Sequence, residues 1–386
     1  MVLQDGVPPI QSRPVVAASV LRRGRKLDPN WALPRTRADS LRIALLVPLS
    51  GPAGLWGPSC HGSATLAARE LNARSGIFGR KVELTFLDAG GDPESVAEAT
   101  LDLVEGGAEA VIGMHISAVR LALVRALRGR VPYVYTPVYE GGECSPGVFL
   151  AGETPGMQLR PPIRWLAERR LARRWYLVGN DYVWPRVSHR AARRYIKASG
   201  GTVVGEDYIA FGCEDYTDAL LAIRRARPDI LLVSMVGNDS IGFNRAFGRS
   251  GLARHILRLS AASEENTLLG IGADNAENLY FAAGYLANLK TPENTAFLER
   301  YHAAFGVNAP VPNTIGQSCY EGLRLYAEMV ARAKSTDVRA LTSAVDGLSY
   351  HGVRGLVAMR RRHLRSEVYL AEADGLEFRI IERFGI

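Results

Sequence analysis

No run in this chain approaches the roughly 20 consecutive apolar residues that a membrane-spanning helix needs, although 47% of its 386 residues are apolar. Cysteine is scarce. Cys60, Cys144, Cys213 and Cys319 form no C-x-x-C pair, which argues against zinc and disulfide frameworks and leaves buried free thiols as the expectation. The motifs of common catalysts are missing too: no G-x-x-x-x-G-K-S/T phosphate loop, no G-x-G-x-x-G after the first strand, no G-x-S-x-G elbow and no H-E-x-x-H. The seven histidines have no metal-ligand spacing, and His61, His115 and His189 read as ordinary hydrogen-bonded or surface residues. Neither an enzyme nor a bound cofactor or metal is expected. Cys144, in Gly-Gly-Glu-Cys-Ser-Pro, is the sharpest remaining nucleophile. A neighbouring carboxylate raises a thiol pKa, however, and no lysine or histidine beside it offers a base.

What is present in excess is positive charge, a formal +8. Half of that excess lies in residues 1–40, where Arg13, Arg22, Arg23, Arg25, Lys26, Arg35 and Arg37 face only Asp5, Asp28 and Asp39. With little apolar periodicity, this stretch reads as a loosely ordered basic arm. Basic surfaces attract nucleic acid and membranes. The arginine-rich stretches 164–174, 190–194 and 360–365 come without a recognition fold, and the first two fall at helical spacing as solvated faces, so nucleic acid is not an expected partner. A secretory leader runs from basic residues to an apolar stretch to small residues. Here the weakly apolar run Val15–Leu21 is followed by the arginines, and the expected location is cytoplasmic, with the periplasm as the alternative.

From Leu41 onward short apolar runs alternate with longer amphipathic ones, the pattern of strand-helix units in a parallel sheet. Strands are expected at Leu41–Leu49, Lys81–Asp88, Ala110–Gly113 and Val131–Thr136, with helices between them. A second series begins near Gly156, with strands at Trp175–Val178, Thr202–Ile209, Ile230–Ser234 and Ile256–Leu259. Two helical stretches, Glu293–Phe305 and Asn313–Ala333, then precede mixed short strands from Val353. The expected fold class is α/β, two doubly wound parallel-sheet lobes joined by a multi-strand hinge. Residues 41–155 and 285–345 would form the first lobe and 156–284 and 346–386 the second, crossing near 155, 284 and 346.

Open sheets of this kind bind ligands at the carboxyl ends of their strands. Met114-His115-Ile116-Ser117 opens a helix there, so the Ser117 hydroxyl and free first-turn amides can meet a ligand oxygen. Tyr135-Thr136-Pro137-Val138-Tyr139-Glu140-Gly141 follows a strand and brings two tyrosines, and Asp181-Tyr182-Val183-Trp184-Pro185-Arg186 stands at the matching place in the second series. Convergence of these loops marks the expected site.

These stretches resemble the amide- and urea-binding branch of the type I periplasmic-binding-protein family over nearly the whole chain from Leu41. The likeness rests on Pro48-Leu49-Ser50-Gly51, Glu70-Leu71-Asn72, Gly76-Ile77-Phe78-Gly79-Arg80, Tyr139-Glu140-Gly141, Ser145-Pro146, Gly179-Asn180-Asp181-Tyr182 with Pro185-Arg186, and Ser263-Glu264. By that resemblance Ser117, Tyr135, Pro137 and Tyr182 hold an amide, Val236 and Gly237 face it from the other lobe, and Trp184 adds an aromatic wall. Glu264 is the competing clue, because amino-acid receptors of the superfamily use an acid there to hold the ligand ammonium. The resemblance implies hinge closure on a short-chain amide or urea and, as partner, a regulator protein in an amide-responsive system. The alternative is an ABC permease, with amides, urea or branched-chain amino acids as cargo. Self-association stays open.

Overall fold

Residues 40–385 are described by the structure, a computed structural model; the basic arm expected over residues 1–40 lies, but for Ser40, outside them. The chain builds two α/β lobes, each around its own sheet. In the first, β1 (Ser40–Val47), β2 (Lys81–Asp88), β3 (Ala110–Gly113), β4 (Tyr133–Tyr135) and β5 (Val148–Leu150) run parallel. In the second, β6 (Arg174–Asn180), β7 (Thr202–Ile209), β8 (Ile230–Ser234), β9 (Leu257–Ser260) and β10 (Leu279–Ala283) do the same. Both parallel cores share one strand order, β2-β1-β3-β4-β5 and β7-β6-β8-β9-β10. The connections therefore part to opposite faces between β1 and β3, and again between β6 and β8. Such switch points open a crevice at the carboxyl ends of the strands.

Local chemistry explains most element boundaries. Residues of β1 and β8 are all buried, since helices cover both faces of the sheet and select near-continuous apolar runs. Asp92 caps the helix Pro93–Glu105 by accepting from Ser95 N at 3.0 Å, with Pro93 preset for the first turn. Thr291, Asn313 and Asp337 cap later helices in the same way. The helix Thr314–Ala333 packs on Gly57–Ala73 of the first lobe.

The last return of the chain differs from expectation. Strands β11 (Ser349–Gly352), β12 (Gly355–Arg360) and β13 (His363–Arg365) extend the first sheet beyond β5, and only β14 (Val368–Asp374) and β15 (Glu377–Phe384) complete the second. The crossing expected near 346 thus falls at residues 366 and 367. The sheets are also mixed rather than purely parallel, because short turns join β11 to β12, β12 to β13 and β14 to β15 and impose antiparallel pairing. Of the cysteines, Cys60 and Cys319 are buried, whereas Cys144 is exposed and Cys213 half-buried.

The inter-lobe connections meet at a buried ion pair. Arg354 Nη1 lies 2.7 Å from Glu153 Oε1, which also accepts from Gly284 N at 2.9 Å, while Arg354 Nη2 bonds the Thr314 carbonyl at 3.0 Å. A Cβ on residue 284 would sit 2.1 Å from Glu153 Oε1, so a side chain there would push the carboxylate off Arg354. Gln158 ties this junction to the second lobe by donating to the carbonyls of Ala261 and Ala282 at 2.7 and 2.8 Å.

Candidate ligand-binding site

The loops at the two switch points face one another across a cavity. From the first lobe come Trp56 after β1, Met114 to Ser117 after β3, and Tyr135, Pro137 and Val138 at the end of β4. The second lobe supplies Tyr182 and Trp184 after β6, Val236 after β8 and Ala262 after β9, and Ile315 enters from the start of the helix Thr314–Ala333. The cavity among these side chains is small, about 30 Å3. The cavity is a narrow slot between lobes already in contact. Trp56 Nε1 donates to Glu264 Oε1 across the cleft at 2.7 Å. Gly237, at φ +48, comes so near Pro52 that a Cβ would lie 2.2 Å from its carbonyl oxygen.

Of the residues singled out in the sequence, Ser117, Tyr135, Pro137, Tyr182, Trp184 and Val236 come together on this slot. Gly237 stands just outside the lining, at the closing contact. Glu264 is placed differently from its expected role as an ammonium anchor. It is fully buried, with Oε1 accepting from Trp56, from Thr267 N at 3.0 Å and from Thr267 Oγ1 at 2.8 Å, and Oε2 accepting from Asn266 N at 2.8 Å. A helix cap and an inter-lobe latch occupy its oxygens. Trp56 and Ile315 were not anticipated. The strand-end rule marks the loop that holds Trp56, but nothing local distinguishes that residue within it, and Ile315 arrives from a helix some 200 residues away from most of the wall.

Beneath the first-lobe wall lies a buried charge cluster that fixes the direction of its hydrogen bonds. Arg120 pairs with Glu140 at 2.5 Å and also with Glu143, all three nearly inaccessible, and its guanidinium lies over the rings of Tyr135 and Tyr139 at 5.7 and 5.3 Å. Ser117 Oγ donates to Glu140 Oε2 at 2.6 Å, and the Tyr135 hydroxyl donates to the His115 carbonyl at 2.8 Å. Both hydroxyl protons point away from the slot, so both oxygens offer it lone pairs. The Tyr182 hydroxyl has no hydrogen-bond partner among the described residues, and burial pushes its pKa well up, keeping it a donor. The helices that begin here, Ser117–Leu127, Val183–Ala198 and Gly237–Arg249, have no side-chain cap, which leaves first-turn N–H groups unclaimed. Among the described residues no Asp, Glu, Lys or Arg lines the slot, and burial drives His115 down to about 3, so it is neutral.

Next to the latch, Glu265 accepts from Ala287 N at 2.6 Å, and burial, with the charge of Glu264, raises it to about 7. Its unfolded counterpart ionises from its ordinary 4.5 upward while the folded group keeps its proton. Its contribution to stability is therefore fully present below pH 4.5, declines as pH rises to about 7, and costs up to about 3 kcal/mol above that. In urea denaturation Glu265→Gln is expected to flatten this decline and to be more stable than the native chain at pH 8 but not at pH 4.5. A variant whose advantage is the same at both values would contradict the assignment.

Comparison with known proteins places the geometry in context. A family model described as periplasmic binding protein matches residues 40–377. The chain is 25% identical over 330 residues to the Leu/Ile/Val-binding protein BraC3 of Rhizobium johnstonii, covering 82% of this chain and 89% of that one. It superposes on an ABC transporter substrate-binding protein from Sphaerobacter thermophilus with a TM-score of 0.78 and 25% identity, over 90% of this chain and 98% of that one. A solute binding protein of an ABC transporter from Rhodopseudomonas palustris, solved with p-hydroxybenzoic acid, has the same fold, with a TM-score of 0.79 and 20% identity over 90% and 97% of the two chains.

Proposed function

The chain belongs to the periplasmic binding protein family, and on that premise we propose that it is the substrate-binding component of an ABC importer whose cargo is a small neutral molecule with an amide-type head group. The relatives support the partner: they are amino-acid-binding and ABC solute-binding proteins, so a permease is favoured over a gene regulator, and the periplasm over the cytoplasm. No helix among the described residues is long and apolar enough to cross a membrane, and a permease would supply the membrane passage.

The cargo is argued from the wall of the slot. The carrying observation is that Ser117 spends its hydroxyl proton on Glu140. A carboxylate placed there would meet the lone pairs of Ser117 and Tyr135 with a buried cluster of one arginine and two glutamates behind them. An –NH2 group would instead donate to both oxygens, while the Tyr182 hydroxyl and the free helix-start amides donate to its carbonyl partner. A full charge brought into this slot finds no counter-charge on the lining, and desolvating it uncompensated is costly. That weighs against the zwitterionic amino acids and aromatic acids carried by relatives. Closure then follows as ligand bonds to both lobes favour the shut state.

Thermal shift and calorimetry with propionamide, urea, leucine and benzoate test the reading. Ligand at about 100 times its dissociation constant stabilises a one-site receptor by about 2.7 kcal/mol. Propionamide or urea is expected to bind, and Tyr182→Phe to weaken it about tenfold through loss of one donor. Binding of leucine or benzoate alone would sink the amide assignment and leave the receptor standing; silence from all four would count against the slot as the site.

A further inference from the structure

We propose that the hairpin joining β12 to β13 builds an oxyanion site beside the hinge, which binds a phosphate group, free or as a phospholipid headgroup, independently of the slot between the lobes. Register gathers the charges. Arg360 pairs with His363 and Ala358 with Arg365 across the hairpin. Because side chains alternate along a strand, Arg360, His363 and Arg365 share the face opposite the buried Met359 and Leu364. With Arg361 they wall a surface cavity of about 440 Å3, bounded also by Thr154 and Met157 from the first hinge connection.

Among the described residues these guanidinium groups have no carboxylate to hold them. Arg80, Arg120, Arg193, Arg300 and Arg354 are each held by a carboxylate, whereas Arg360, Arg361 and Arg365 form no ion pair among the described residues, and no acidic side chain lines the cavity. Asp346, at the turn, is engaged by the Arg361 backbone N–H at 2.9 Å. His363 is held in place within the hairpin. Its Nδ1 donates to the Arg361 carbonyl at 2.8 Å and its Nε2 meets the Tyr139 hydroxyl, so both ring nitrogens are engaged. Arg362 points elsewhere, donating to the carbonyls of Ser145 and Cys144.

The two-residue turn requires positive φ at both of its central residues, but it does not require arginine there. Arg361 and Arg362 have φ values of 49 and 64, the left-handed region, where two-residue hairpin turns ordinarily take Asn-Gly because a longer side chain is disfavoured. Here the strained residue is one that adds an arginine to a cavity already holding two. Guanidinium groups recognise phosphate oxygens through paired, charge-assisted hydrogen bonds, and a bound oxyanion would relieve the like-charge repulsion as well.

Calorimetric titration of the full chain with pyrophosphate, and co-sedimentation with phosphatidylglycerol against phosphatidylcholine vesicles, test the proposal and separate its two sources. Pyrophosphate binding without vesicle binding identifies a free phosphate ligand, and selective binding to phosphatidylglycerol identifies a headgroup. In either arm Arg361→Gly and Arg365→Ala are expected to bind at least about fivefold more weakly, with affinity falling as salt rises. Arg361→Gly should also melt about 1–3 °C higher, since glycine suits the turn, which separates lost binding from lost folding. Arg190→Ala removes the same charge from an exposed helix position outside the cavity and should bind like the native chain. The proposal fails if neither probe binds, if the two cavity variants bind undiminished, or if Arg190→Ala weakens binding as much as they do.

Discussion

Arg120→Ala is expected to lower the stability of the protein to urea by about 3–5 kcal/mol and to remove amide binding with it. Arg120 is the only cation paired with Glu140 and Glu143 among the described residues, and the three side chains are nearly inaccessible. Deleting one partner of a buried pair leaves the other charge uncompensated, which costs several kcal/mol even where the intact pair contributes little. The variant is expected to respond by keeping a carboxyl proton. A protonated Glu140 can donate its own O–H to the Ser117 oxygen in place of accepting from it at 2.6 Å, as it does in the native chain, and the lone pair offered to the ligand –NH2 is then used up. Arg120→Lys keeps the charge but not the fork that reaches two carboxylates, and should fall between. Adding Glu140→Gln and Glu143→Gln to Arg120→Ala should restore part of the stability while leaving binding impaired. A loss below about 1 kcal/mol in Arg120→Ala would mean that the cluster is far better solvated than its burial implies.

Arg354→Ala is expected to destabilise by a similar amount, about 3–5 kcal/mol, but through the hinge rather than the ligand wall. Its guanidinium spans Glu153, Gln317 and the Thr314 carbonyl, and Glu153 in turn holds Gly284 N. Without it a buried carboxylate sits unpaired where the connections between the lobes meet. The donors and acceptors of the slot remain, so propionamide should still bind, with an affinity loss much smaller than in Arg120→Ala. Replacing both partners, Arg354→Met with Glu153→Met, should recover stability, because removing a buried pair altogether costs less than breaking it. Equal losses of amide binding in Arg354→Ala and Arg120→Ala would contradict this separation of hinge from site.

The sequence by itself determined the alternation of strands and helices, the two tandem series, the absence of the motifs of common catalysts and the loops at which a ligand would be held. All of these are set over a few residues, by apolar periodicity, by caps such as Asp92 and Asn313, and by the rule that parallel sheets open their crevice at strand ends. Ser117, Tyr135, Pro137, Tyr182, Trp184 and Val236, singled out with the help of the family resemblance, all lie in such loops and line the slot. Tertiary structure alone decided the rest. Where the chain crosses for the last time depends on which sheet edge the strands from Ser349 to Arg365 join, and short alternating strands carry no label for their partner. One oxygen of Glu264 accepts from Trp56 of the opposite lobe, a contact between residues 208 positions apart. The hydroxyl of Ser117 faces away from the slot because Glu140 and Arg120 stack beneath it in the folded core. A hydrogen bond's direction is set by every neighbour within about 3 Å, and those neighbours are assembled from distant parts of the chain.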